Sequence, residues 1–130
     1  MMKRGFVAAS VLSVLAAGCL TVPERIAQQR PATAGEKASI VAGARDVMKD
    51  PYSIRDAEIS HFMPATSGPD GNICVRANAK NGFGAYTGRT NWLIAISDGK
   101  AVNAWEGHAH CALPQIKWQP FPEIYALQKL

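Results

Sequence analysis

Apolar positions along the chain follow three successive rhythms. An almost unbroken apolar run occupies residues 6–15, interrupted only by Ser10 and Ser13. Further on, Ile40, Val41, Ala44, Val47 and Met48 recur at spacings of one, three, three and one, which puts them on one face of a helix. Thr33-Ala-Gly-Glu36 precedes them in the Ser/Thr-x-x-Glu form of a capping box. Asp50-Pro51 ends them, because the residue before proline avoids helical dihedrals.

Beyond that stop the period changes to alternation, and strands are predicted over 57–63, 72–78, 91–97 and 100–105. Residues 64–71 are too rich in Pro, Ser, Gly and Asp for regular structure. In the second strand Ile73, Val75 and Ala77 point one way and Cys74, Arg76 and Asn78 the other. Asp98-Gly99 is a strong hairpin signal. A two-residue turn there pairs Ser97 with Lys100 and Ile96 with Ala101, and continuing in step pairs Ala95 with Val102 and Trp92 with Trp105. Both faces of that hairpin carry apolar groups, so the sheet needs cover on both sides. The helix supplies one cover. Ile116, Trp118, Phe121, Ile124, Tyr125 and Leu127, punctuated by Pro114, Pro120 and Pro122, supply part of the other. The expectation is a single α+β domain over residues 33–130. An N-terminal amphipathic helix packs on a small antiparallel sheet of about four strands, and a Pro-rich, short helical segment follows.

Residues 1–18 read differently. Lys3 and Arg4 precede an apolar segment too short to span a bilayer comfortably, and small residues follow it, which is the layout of a signal peptide. Leu15-Ala-Ala-Gly-Cys19 resembles the lipobox of bacterial lipoproteins, with Ala16 where leucine is commoner; the alternative is an ordinary secretory peptide cut after Ala17 or Gly18. The resemblance implies that Cys19 becomes an acylated N-terminus. Two or more fatty chains, at about 0.8 kcal/mol per buried CH₂, anchor stably where one does not. Leu20 stands where inner-membrane lipoproteins tend to carry Asp, so the resemblance implies the outer membrane, facing the periplasm. Residues 19–32, with Pro23, Gln28, Gln29, Arg30 and Pro31, are expected to be a lipidated tether.

Removing residues 1–18, with Lys3 and Arg4, lowers the net charge from +4 to +2, an ordinary solubility charge that argues against nucleic acid as a partner. With Cys19 assigned to lipid, Cys74 and Cys111 remain, and in an oxidising compartment the default is a disulfide between them. Free thiols or a metal site are the competing reading.

The oddest segment lies between the second and third strands: Lys80, Asn81, Gly82, Phe83, Gly84, Tyr86, Gly88 and Arg89 combine glycines, aromatics and cations. Together with the cysteine-containing strand before it and Asp50-Pro51, it resembles a family of small uncharacterised proteobacterial lipoproteins, a resemblance that implies no activity. It has neither P-loop nor Rossmann spacing. Its N–H groups can form an anion-binding nest, or Phe83 and Tyr86 can anchor a partner; the structural alternative is a connection whose two rings pack on the sheet.

His108 and His110, two apart in an extended segment, could share a metal with Cys111, but an oxidised Cys111 leaves fewer ligands than zinc needs. The serines at 60, 67 and 97 and the carboxylates at 56, 58, 70, 98 and 106 stand in no catalytic frame. The expected function is a non-catalytic, lipid-anchored envelope module without a cofactor, binding an envelope protein or glycan through Lys80–Arg89 and Arg76. The alternatives are a small envelope hydrolase or metal-dependent enzyme using His108 and His110, and a protein like the periplasmic lysozyme inhibitors, which share this size, compartment and disulfide habit.

Overall fold

A computed structural model describes residues 18–129. The expected signal segment lies outside the described residues except for Gly18. The chain runs α1 (Val22–Ala27), α2 (Ala34–Val47), β1 (Arg55–Ser60), β2 (Met63–Pro64), β3 (Gly71–Asn78), β4 (Thr90–Ser97), β5 (Lys100–Glu106) and β6 (Trp118–Pro120). Short 3₁₀ segments fall at Pro51–Ser53, Ala109–Ala112 and Pro122–Lys129. The six strands form one antiparallel sheet in the order β5-β4-β3-β1-β6, with β2 pairing to the start of β3. The α+β class holds, with the helix on the sheet and the Pro-rich 3₁₀ segment at the C-terminal end.

Thr33 opens α2 as expected, its hydroxyl accepting from Glu36 N–H while the Glu36 carboxylate accepts from Thr33 N–H. Glu36 is nonetheless buried, and the Arg30 guanidinium meets it with two hydrogen bonds of 2.7 and 3.1 Å. One face of the sheet packs Ile59, Ile73, Val75, Ala77, Ile94 and Ile96 against α2 and the C-terminal 3₁₀ segment, where Phe121, Ile124 and Leu127 are buried. The other face carries a smaller cluster of Met63, Cys74, Leu93, Cys111 and Ile116. Each fully buried side chain of this size contributes roughly 1.5–3 kcal/mol. The alternation read in β3 is therefore correct: odd positions face the helix, and Cys74 faces the second cluster, where it is bonded to Cys111 across a sequence separation of 37.

Three expectations need correction. The strand read over 57–63 is two strands, because after Ser60 the chain turns so that His61 N–H donates to Lys117 and Phe62 N–H to Arg30. Met63 and Pro64 then pair with Asn72 and Gly71. Gly71 is required there, since a Cβ would collide with the Met63 carbonyl and the Phe62 ring. Residues 20–31 do not run as an irregular tether. They hold α1, capped by a Thr21–Glu24 capping box, and dock on the body through Arg25 Nε to the Pro64 carbonyl (2.7 Å) and Gln29 to Gln115 and Lys117.

The third correction is register. The turn is as predicted, with Asp98 and Gly99 both at positive φ, Ser97 opposite Lys100 and Ile96 opposite Ala101. A bulge at Val102 then inserts one residue, so Ala95 faces Asn103, Leu93 faces Trp105 and Trp92 faces Glu106. Trp92 and Trp105 thus lie on opposite faces. Two-sided cover survives for β3 and β4, but β5 is a largely exposed edge with Val102 and Trp105 open to solvent. Two of its amides are nonetheless occupied: Ala101 N–H donates to Ser39 Oγ (2.9 Å) and Ala104 N–H to Asn103 Oδ1 (2.8 Å).

Candidate functional site: a braced loop with an exposed phenylalanine

The segment after β3 is a closed loop built on Asn81. Its side-chain oxygen accepts from Phe83 N–H (2.9 Å) and Ala85 N–H (3.2 Å), and its backbone carbonyl accepts from Gly84 N–H (3.0 Å). Gly84, at φ 75°, supplies the left-handed residue the closure needs. These bonds occupy three of the amides that an anion-binding nest would draw on, those of Phe83, Gly84 and Ala85. Lys80 and Tyr86 pair as an isolated bridge at the loop's base.

The base is fastened to the turn that ends α2. Lys80 N–H donates to Ser53 Oγ (2.7 Å), Tyr86 Oη donates to the Ser53 carbonyl (2.6 Å), and Ser53 Oγ in turn donates to the Asp50 carbonyl (2.8 Å). The Tyr86 ring is covered by the Arg55 guanidinium at 3.6 Å, with Lys80 Nζ at 5.8 Å. Phe83 is left 98% exposed at the tip. The two aromatics that the sequence treats alike therefore do different things: Tyr86 is part of the brace and Phe83 meets only solvent.

Beside the loop, on the sheet face that carries Cys74, lies a row of charge. The Glu58 carboxylate takes two hydrogen bonds from Arg76, Nε at 2.8 Å and Nη2, and an ion pair from Arg89 at 3.3 Å. The Arg76 hydrogen bonds, against an opposing contribution from burial and with help from Arg89, hold its carboxyl below the usual range. Arg76 also lies over the Trp118 ring at 4.0 Å. Arg76 and Arg89, expected as ligand cations, are thus engaged with Glu58, while Lys80 and Arg55 flank Tyr86. Ser53 and Arg55 were not singled out from sequence, Glu58 was read only as a carboxylate in no catalytic frame, and Trp118 only as cover for the sheet. Glu58 and Arg76 sit directly opposite in β1 and β3, which correct strand pairing would have revealed.

His108 and His110 are in a 3₁₀ turn, not an extended segment: His108 caps it, its Nδ1 accepting from His110 N–H. Their rings stand edge to face with centroids 6.4 Å apart. Burial, then Arg25 and His108, push the His110 pKa down. Cys111 is committed to Cys74, so its sulfur is not available beside them. No group of three or more His, Cys, Asp or Glu able to hold a metal is assembled among the described residues. Ser60 has a structural task, its hydroxyl accepting from Cys74 N–H and donating to the His61 carbonyl. Cys19 is exposed and unpaired. No described helix is long and apolar enough to cross a membrane.

Position along β3 separates the loop from the N-terminal end of the described chain. Leu20 N–H donates to the Thr66 carbonyl, in the connection that leads into Gly71. The loop leaves the other end of the strand, after Asn78. The eight-residue strand between these two connections is about 23 Å long.

No family model, curated protein or solved structure matches the chain.

Proposed function

We propose that this chain is a lipid-anchored cell-envelope protein that acts as a non-catalytic binding module, with Phe83 as its anchoring side chain. One observation carries the proposal: a large apolar ring, 98% exposed, is held on a loop that is hydrogen-bonded internally and fastened to the body at Ser53. Ordering costs weaken association, and a loop already fixed by Asn81 has little left to order. Aromatic side chains are also the commonest anchors of binding energy at interfaces.

The chemistry of the surroundings narrows the partner. A single projecting ring is convex and fits an apolar socket, which suits a protein more than a glycan needing an enclosing platform. Arg55 and Lys80 at its base favour a socket rimmed by carboxylates. With Cys19 acylated, the docking of Leu20 at Thr66 sets the anchor at the opposite end of β3, so Phe83 faces away from the membrane. Fatty-acid labelling tests the anchor: Cys19→Ala abolishes label if the lipobox is used, and undiminished label refutes it. Phe83→Ala tests the contact separately, by loss of partner cross-linking with an unchanged melting temperature.

A further inference from the structure

Asn81 stands before Gly82, whereas Asn72, Asn78, Asn91 and Asn103 precede Ile, Ala, Trp and Ala. The backbone nitrogen that follows an asparagine can close a five-membered ring on that side chain's Cγ, and glycine, with no Cβ, hinders the closure least. The loop leaves this nitrogen free. The N–H groups of Phe83, Gly84 and Ala85 all donate within the loop, while Gly82 N–H donates to no protein acceptor among the described residues. Gly82 is exposed, so water reaches it, and a Cβ built there would meet nothing within 4 Å.

The electrophile is prepared as well. Asn81 Oδ1 accepts from Phe83 N–H at 2.9 Å and from Ala85 N–H at 3.2 Å. Attack at Cγ moves negative charge onto that oxygen, and two fixed N–H donors stabilise it as they do in an oxyanion hole. We propose that Asn81 is a site of spontaneous deamidation whose conversion unlatches the loop carrying Phe83. Gly82 N gives up its proton and bonds to Cγ, the Cγ–Nδ2 bond breaks, and ammonia leaves with that proton. Water then opens the resulting succinimide at Cγ to give aspartate, or at the main-chain carbonyl carbon to give isoaspartate. Aspartate keeps an oxygen in the place of Oδ1, and its charge strengthens the two bonds. Isoaspartate routes the main chain through the side-chain methylene, which displaces the acceptors that now hold the N–H groups of Phe83, Gly84 and Ala85. The conversion proceeds whether or not Phe83 meets a partner.

Peptide mapping by mass spectrometry of the folded, disulfide-intact protein, held for weeks at mildly alkaline pH with the urea-unfolded chain as positive control, tests this. The expected result is acid at position 81, part aspartate and part isoaspartate, accumulating several-fold faster than at any other asparagine. Gly82→Ala, which the open space admits, slows the conversion several-fold at an unchanged melting temperature; should that variant not fold, the folded parent against its unfolded control still decides. Amide exchange at Phe83, Gly84 and Ala85 is faster in the separated isoaspartate form and no faster in Asn81→Asp. Asn81 that stays an amide in the folded protein, a folded Gly82→Ala that converts like the parent, or an isoaspartate form whose loop exchanges like the parent overturns the proposal.

Discussion

Trp105 stands opposite Leu93 across the β4–β5 pair, one residue out of step with the Asp98-Gly99 turn, because Val102 bulges from β5. The consequence is an edge strand that resists pairing. On either side of the bulge, the N–H groups of Ala101 and Ala104 are held by Ser39 and Asn103, which leaves less of the edge to template another strand. Ser39→Ala combined with Asn103→Ala is expected to cost about 1 kcal/mol and to increase self-association in sedimentation velocity. A double variant that sediments and melts like the parent refutes the edge argument.

The pairing of buried Glu36 with exposed Arg30 predicts a component of acid sensitivity. Burial opposes the charged carboxylate, but the Arg30 and Thr33 hydrogen bonds outweigh it, and the Glu36 pKa falls below its ordinary 4.5. A carboxyl depressed on folding stabilises above its unfolded value, and that stabilisation is lost as pH falls through the folded value. Glu36→Gln should therefore be less stable than the parent at neutral pH, with the gap closing below about pH 4.5. Melting curves of the two proteins down to about pH 3 measure it; a gap independent of pH contradicts the assignment.

Cys74–Cys111 closes a long loop and joins β3 to the 3₁₀ turn at Ala109–Ala112. The chain-entropy model gives about 4 kcal/mol for that length. Cys74→Ala with Cys111→Ala should lower denaturant stability by about that amount and speed amide exchange around Leu113, while α2 keeps its order of protection. A loss well under 1 kcal/mol would mean that the second cluster holds without its staple.

Loop substitutions should separate the two aromatics. Phe83→Ala leaves stability unchanged because the ring touches nothing. Tyr86→Phe removes the bond to the Ser53 carbonyl and should cost about 1 kcal/mol. Thermal melts of the single variants decide this, and a large loss at Phe83 would place its ring against the body.

What could be read from the chain follows the range of the forces involved. The Thr33–Glu36 box, the alternation in β3 and the Asp98-Gly99 turn are local patterns, and each appears where expected. The bulge at Val102 lies where β5 runs beside α2, and no spacing along β5 encodes it. Helix α1 is too short for an apolar period, although Thr21-x-x-Glu24 was a readable cap. The loop was legible as unusual from its glycines, aromatics and cations. The division of labour between Phe83 and Tyr86 was not, because it depends on Ser53 and Arg55, more than twenty residues away in sequence.

The most direct test of the binding reading is photocrosslinking in intact cells, with p-benzoylphenylalanine at position 83 and, as control, at Lys100 on the far hairpin. The expected result is one discrete protein adduct from position 83, absent from position 100 and weakened when Arg55→Glu and Lys80→Glu are added. No adduct at position 83, or the same adducts from both positions, would contradict it.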